Sequence, residues 1–191
     1  MKVLRKACLA LLRACGWTAS LNWPPEPHGL VLVYPHTSNW DFVIGILFSI
    51  GSGLNAQWMG KDTMFRWPFR GLLRRIGGVP INRRERSGLI AALLEEFQRR
   101  DRMWLAVAPE GTRAYTDHLK SGFYQIALAG NLPIGLGYVD YGRRCVGVDT
   151  YVRMTGDEAR DLATLRGFYA DKRARVPGLV GDFRFRSSQE P

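Results

Sequence analysis

Cysteine and histidine are scarce in this 191-residue chain, three of each. Cys8, Cys15 and Cys145 form no CxxC pair, and His28, His36 and His118 form no HExxH. An odd, widely spaced cysteine set supplies neither a disulfide framework nor a structural zinc site, and it fits a reducing compartment. Histidines so placed also argue against a metal site. The GxSxG elbow of serine hydrolases is missing. So is the GxxxxGKS/T phosphate loop, because Gly60-Lys61 is followed by Asp62 and Gly53 lies at the wrong spacing. Gly135-Leu136-Gly137 sits in a strand-like run with no third glycine, so the dinucleotide-binding fingerprint is incomplete. No apolar run is long enough to span a bilayer. Acidic residues are in deficit too, 17 against 27 Lys and Arg, for a net charge of +10. That excess points to an anionic partner: phosphate groups, a lipid surface, nucleic acid or an acidic carrier protein.

What is present is one domain's worth of ordinary globular sequence, 46% hydrophobic and 23% charged. At the N-terminus, Lys2, Arg5 and Lys6 precede the apolar stretch Ala7 to Leu12, which Arg13 interrupts too early for a signal peptide. An amphipathic helix over about residues 3–15 is expected there, packed on the core or lying on a membrane surface. Leu30 to Tyr34 is a continuous apolar run with the character of a strand buried on both faces. A helix is expected over 40–50, with Ser38 or Asn39 as its cap and Gly51 and Gly53 at its end. Further strands are expected at 56–60, 79–81, 103–108, 132–139 and 145–154. Further helices are expected after Pro68, at 87–100, at 122–129 and at about 157–173.

Strands alternating with helices imply an α/β single-domain sandwich, its central sheet largely parallel and flanked by helices, closed by a late antiparallel pair. The expected organisation is an N-terminal helix and lead-in over 1–28, the main domain over 29–175, and a loose polar tail over 176–191.

Three segments carry chemistry. In His36-Thr37-Ser38-Asn39-Trp40-Asp41, a histidine ends a buried strand and a carboxylate falls in the next helix's first turn. A carboxylate on one imidazole nitrogen leaves the other as a base and stabilises the imidazolium once formed. The structural alternative is that Asp41, three residues after Ser38, merely caps the helix while His36 sits hydrogen-bonded in the core. The second segment, Pro109-Glu110-Gly111-Thr112-Arg113, follows an apolar strand, and open α/β sheets bind ligands at strand carboxyl ends. There Gly111 permits close approach, Thr112 brings a hydroxyl, and Arg113 brings a planar fork for phosphate or carboxylate. The alternative is a turn with a local Glu110–Arg113 ion pair. The third is Lys61 to Arg86, with eight basic residues against Asp62 and Glu85. Phe69, Leu72, Leu73 and Ile76 recur at helical spacing beside Arg70 and Arg74, the usual pattern of core residues under a solvated basic face. Trp58, Phe65 and Trp67 nearby favour a membrane-surface or lipid-substrate role instead.

In order and spacing these segments resemble the glycerolipid acyltransferase family typified by 1-acylglycerol-3-phosphate acyltransferase, in its short bacterial form. His36, Ser38 and Asp41 match the family's HxSxxD block. Lys61, Pro68, Gly78 and Arg83 match its second block, Glu110 to Arg113 its EGTR block, and Leu132-Pro133-Ile134 its fourth. The likeness covers about residues 30–140, and Ala108 departs from the bulky residue usual before the third block. The resemblance implies acyl transfer from a thioester, acyl-CoA or acyl carrier protein, to the free hydroxyl of a lysolipid. In that scheme His36 is the general base and Asp41 its partner. Arg113 and Arg83 bind the acceptor's phosphate, with Lys61 a further candidate, and Ser38, Glu110, Gly111 and Thr112 complete the substrate site. No cofactor or metal is expected beyond the acyl thioester co-substrate. The expected partners are the lysolipid, the acyl donor and an anionic membrane surface, and the expected place is peripheral, on the cytoplasmic side of the inner membrane. The acceptor is lysophosphatidate or another lysolipid, such as a lyso-aminolipid. A thioesterase using the same dyad on water is an alternative. A nucleic-acid-binding domain is a weaker one, because it gives the His–Asp pair no role.

Overall fold

The computed structural model describes residues 2–81 and 88–186, with only the backbone described at Lys61 and Ile81. In chain order the elements are α1 (Lys2–Ala14), β1 (Thr18–Leu21), β2 (His28–Val33), α2 (Asn39–Ser52), β3 (Gln57–Lys61), α3 (Arg70–Arg75) and β4 (Gly78–Ile81). They continue with α4 (Leu89–Arg99), β5 (Met103–Val107), α5 (Gly122–Ala129), β6 (Ile134–Asp140), β7 (Cys145–Val152) and α6 (Glu158–Tyr169). The strands form one sheet in the order β1-β7-β6-β2-β5-β3-β4, parallel throughout except where β6 meets β7. This is the α/β sandwich expected from the alternating pattern, including the late antiparallel pair.

Alternation along the central strands divides the core in two. Leu30 and Leu32 of β2 point to one face with Met103 and Leu105, under Leu93 and Phe97 of α4, Phe123 and Ile126 of α5 and Leu165 of α6. Val31 points to the other face, with Trp104, Val139 and Val148, under Leu12 of α1 and Ile44 and Phe48 of α2. Burial on both faces is why these strands are continuous apolar runs rather than alternating ones.

Two expectations at the chain's ends need correcting. The lead-in contributes a strand, β1, which pairs with β7 at the sheet edge. The segment expected to be a loose tail is packed as far as it is described: Phe183 and Phe185 are buried in the core beside Tyr34, Tyr169 and Phe123. The Tyr34 hydroxyl donates to the Gly181 carbonyl at 2.8 Å, and Arg166 donates to that of Phe183 at 2.8 Å. Two aromatic rings outweigh the polar composition of their neighbours, since burying each is worth about 2–3 kcal/mol. Residues 187–191 of that expected tail lie outside the described residues.

Around α3, Phe69 and Leu72 are exposed and Leu73 and Ile76 half-buried, so the stripe is not a covered core; of the three aromatics that favoured a membrane or lipid role, Trp67 is exposed while Trp58 and Phe65 are buried. Ser87, the expected start of α4, lies outside the described residues.

Candidate active site

The candidate site lies over the carboxyl ends of three adjacent parallel strands, β5, β2 and β6. Leu32 of β2 is in register with Val107 of β5, and Val33 with Gly137 of β6. The loops that follow these strands therefore emerge side by side. This pairing brings Glu110 to His36 and Tyr141 to Asp41, each remote in sequence from its partner.

Between β2 and α2 the chain makes a tight turn whose geometry comes from its own side chains. Ser38 caps α2 in an extended conformation, and its hydroxyl accepts from the Trp40 N–H at 3.2 Å. Asp41 closes the capping box by accepting from the Ser38 N–H at 2.8 Å. The same oxygen, Oδ2, accepts from the Thr37 N–H at 2.9 Å and lies 3.4 Å from His36 Nδ1. Capping acid and histidine partner are thus one carboxylate. The His–Asp approach is an ion-pair distance, longer than a formed hydrogen bond, and buried His36 Nδ1 has no other partner. Catalytic hydrogen bonds commonly tighten only around substrate. Asp41 itself is 2% exposed. Burial pushes its pKa up, but the adjacent His36 and the hydrogen bonds from Tyr141 and the Ser38 backbone outweigh burial and hold it below the ordinary value. The carboxylate is therefore charged when an imidazolium forms beside it.

Glu110 is not where a substrate-binding residue would be. It is buried, 3% exposed, and its Oε1 accepts from the backbone N–H of His36 at 2.8 Å. Its Oε2 is buried without a partner, and burial pushes the pKa up to about 7 despite hydrogen bonds from the backbone N–H groups of His36 and of Glu110 itself. Glu110 ties the loop after β5 to the one after β2. The local Glu110–Arg113 pair of the turn reading is not formed, and Arg113 is exposed. Gly111 adopts φ +64°, a left-handed conformation that favours glycine in this loop.

A cavity of about 620 Å³ joins His36 and Asp41 to Gly111, Thr112 and Arg113. It continues over an apolar floor between α2 and the sheet, past Phe42, Ile46, Trp58, Ala106 and Val148. Volume, apolar lining and a few convergent polar groups are the attributes of a small-molecule site. Of the other expected substrate residues, Ser38 is committed to the helix cap, the side chain of Lys61 is not among those described, and Arg83 lies outside the described residues. Among the described residues, no group of three or more His, Cys, Asp or Glu is placed to hold a metal ion. One residue went unnoticed in the sequence: Tyr141, whose hydroxyl donates to Asp41 Oδ1 at 2.7 Å. The only signal for it was its position immediately after the strand Ile134–Asp140.

No curated protein gave a significant match. Among solved structures, the chain is similar to the crystal structure of the 1-acyl-sn-glycerophosphate (LPA) acyltransferase PlsC from Thermotoga maritima. That match has a TM-score of 0.58 and 16% identity, and covers 91% of this chain and 81% of that one. At that identity the likeness establishes the fold. The family model described as Acyltransferase matches residues 21–135, more than half of the chain, and spans His36, Asp41 and the 110–113 loop. The chain therefore belongs to the acyltransferase family and is an acyltransferase.

Proposed function

We propose that this protein moves a fatty acyl group from an acyl thioester, acyl-CoA or acyl carrier protein, to the free hydroxyl of a lysolipid, with 1-acylglycerol-3-phosphate as the acceptor and phosphatidic acid as the product. The observation that carries the proposal is the cavity, whose lining joins the His36–Asp41 pair, its carboxylate buried, to exposed Arg113 and an apolar floor. His36 Nε2 removes the acceptor hydroxyl's proton as that oxygen attacks the thioester carbonyl. The carbon–sulfur bond then breaks, and the proton passes from the imidazolium to the departing thiolate. Asp41 holds the ring and its transient charge throughout. Thiolates leave readily, so one histidine suffices as base and then as acid. The apolar trough accommodates acyl chain, and Arg113 at its rim faces the acceptor's phosphate, for which a planar fork is suited.

The acceptor reaches the cavity from an anionic membrane surface. Trp67, 92% exposed, together with Phe69 and Leu72, projects among exposed Arg66, Arg70, Arg74 and Arg75. Aromatic and aliphatic side chains interleaved with arginines suit an interface of acyl chains and anionic headgroups. Met64, beside this face, also lines the cavity. Among the described residues no helix is long and apolar enough to cross a membrane. The proposed attachment is peripheral and on the cytoplasmic side of the inner membrane, where the donor is made available.

The test is release of free thiol from palmitoyl-CoA by the purified protein, with and without lysophosphatidate, alongside chromatography for phosphatidic acid. Release that requires the acceptor and yields phosphatidic acid is expected. Acceptor-independent release would identify a thioesterase instead. Transfer only to another lysolipid, such as a lyso-aminolipid, would overturn the acceptor assignment alone.

A further inference from the structure

We infer that Tyr141 is a positioning residue for the His36–Asp41 pair, fixing the carboxylate that the proposed acyl transfer depends on. This inference rests on that function. Both oxygens of Asp41 are in use, but unequally supported. Oδ2, the oxygen facing His36, is held by the local backbone N–H groups of Thr37 and Ser38. Oδ1 is held from outside the turn, by the Tyr141 hydroxyl at 2.7 Å across a hundred residues of sequence. Without that donor one oxygen of a buried carboxylate lacks a hydrogen bond, and the group can swing away from the imidazole. With it, the carboxylate plane is fixed and its charge maintained.

Tyr141 is itself held firmly. Its ring packs edge-on against Trp17 at 5.0 Å, and its backbone N–H donates to the Arg173 carbonyl at 2.9 Å. Arg175 lies 6.0 Å from its ring centre and 5.6 Å from that of Trp40, the residue preceding Asp41. Next along the chain, the Val176 N–H donates to the Thr37 hydroxyl at 3.2 Å. The turn after β6 and the C-terminal segment thus close on the His36 turn from the side opposite Glu110. The titratable and charged groups around the pair are His36 itself, Glu110 beneath the His36 backbone, Arg113 in the shared cavity lining, and Arg175 against the tyrosine. On the turn after β6, Arg143 and Asp140 pair with each other. Burial and the Asp41 charge raise the Tyr141 pKa, which keeps the phenol a donor over the working range.

Tyr141→Phe in the full chain removes the hydroxyl and keeps the Trp17 contact. The expected result is a fall in kcat of about 10- to 100-fold, the range for a hydrogen bond to a buried charge, with the KM values for donor and acceptor little changed. Loss of the donor makes the carboxylate more basic. The acid limb of the kcat/KM profile is therefore expected to move to higher pH than in wild type. In an Asp41→Asn background, Tyr141→Phe is expected to add almost nothing, because its effect passes through the carboxylate. Wild-type kcat and an unmoved acid limb in Tyr141→Phe would overturn the inference. So would an equal further loss in the Asp41→Asn background, assayed at a temperature where circular dichroism shows the variants folded, because it marks a merely structural role. If His36→Ala turns over normally, the proposed base mechanism fails. If His36→Ala is inactive while Tyr141→Phe is normal, only the inference about Tyr141 fails.

Discussion

At Asp41 two roles that sequence patterns usually separate fall on one carboxylate. It closes the capping box of α2, and the same oxygen faces His36. The two roles come apart by substitution. Ser38→Ala removes the capping hydroxyl but leaves the backbone N–H that Asp41 accepts from. It is expected to cost about 1 kcal/mol in urea unfolding, with kcat changed by less than threefold. Asp41→Asn, by contrast, is expected to cut kcat by about 10²-fold or more, and a folded variant with near-normal turnover would remove Asp41 from the mechanism. Arg113→Ala is expected to raise the acceptor's KM more than the donor's, and equal damage to both would refute its assignment to the phosphate. Glu110 makes a pH prediction. Its pKa rises from an ordinary 4.5 to about 7 in the folded protein. Below about pH 4.5 the group is protonated in folded and unfolded chains alike. As pH rises through 7 the unfolded chain has already released its proton, and ionisation in the fold is penalised. Stability is therefore lost with rising pH, by about 3 kcal/mol at most. Glu110→Gln cannot ionise, so the melting temperature of the variant relative to wild type is expected to climb between pH 5 and pH 8. Parallel melting curves across that range would contradict the burial argument.

Among the elements, those visible in the sequence are the ones whose environment imposes a simple pattern. Doubly buried β2, β5 and β6 appear as apolar runs, and α2 and α5 carry their capping residues or terminal glycine within a residue or two of their ends. The edge strand β1 was missed because four residues, two of them exposed, carry no such pattern. The stripe on α3 left two readings open in the sequence because helical spacing identifies a face without saying whether anything covers it. In the C-terminal segment a signal was present: buried Phe183 and Phe185 alternate with exposed Asp182 and Arg186, a period-two pattern two aromatics long. Phe183→Ala is expected to destabilise the fold by about 3 kcal/mol in urea unfolding, whereas a loose tail would leave the midpoint unchanged. The candidate site was legible wherever its residues are local. His36 and Asp41 share one turn, and the 110–113 loop follows its strand directly. The Tyr141–Asp41 contact was not legible, because it depends on β6 lying beside β2, a pairing that no local pattern encodes.

For the whole molecule, charge and exposed apolar area act together. In the proposed peripheral attachment, the net charge of +10 draws the chain to an anionic bilayer and the exposed Trp67, Phe69 and Leu72 face inserts there. Co-sedimentation with phosphatidylglycerol vesicles is expected to weaken as salt rises. Trp67→Ser with Leu72→Ser should lower binding at every salt concentration without changing the melting temperature, since both side chains are exposed. Binding unaffected by the double substitution would locate the membrane face elsewhere. The central claim, that a His–Asp pair over the strand ends drives acyl transfer, is tested most directly by following labelled palmitoyl from palmitoyl-CoA into phosphatidic acid. The comparison is between wild type and a His36→Ala variant shown by circular dichroism to be folded. The account predicts product from wild type and a loss of about 10²-fold or more in the variant. Near-normal product from folded His36→Ala would contradict it.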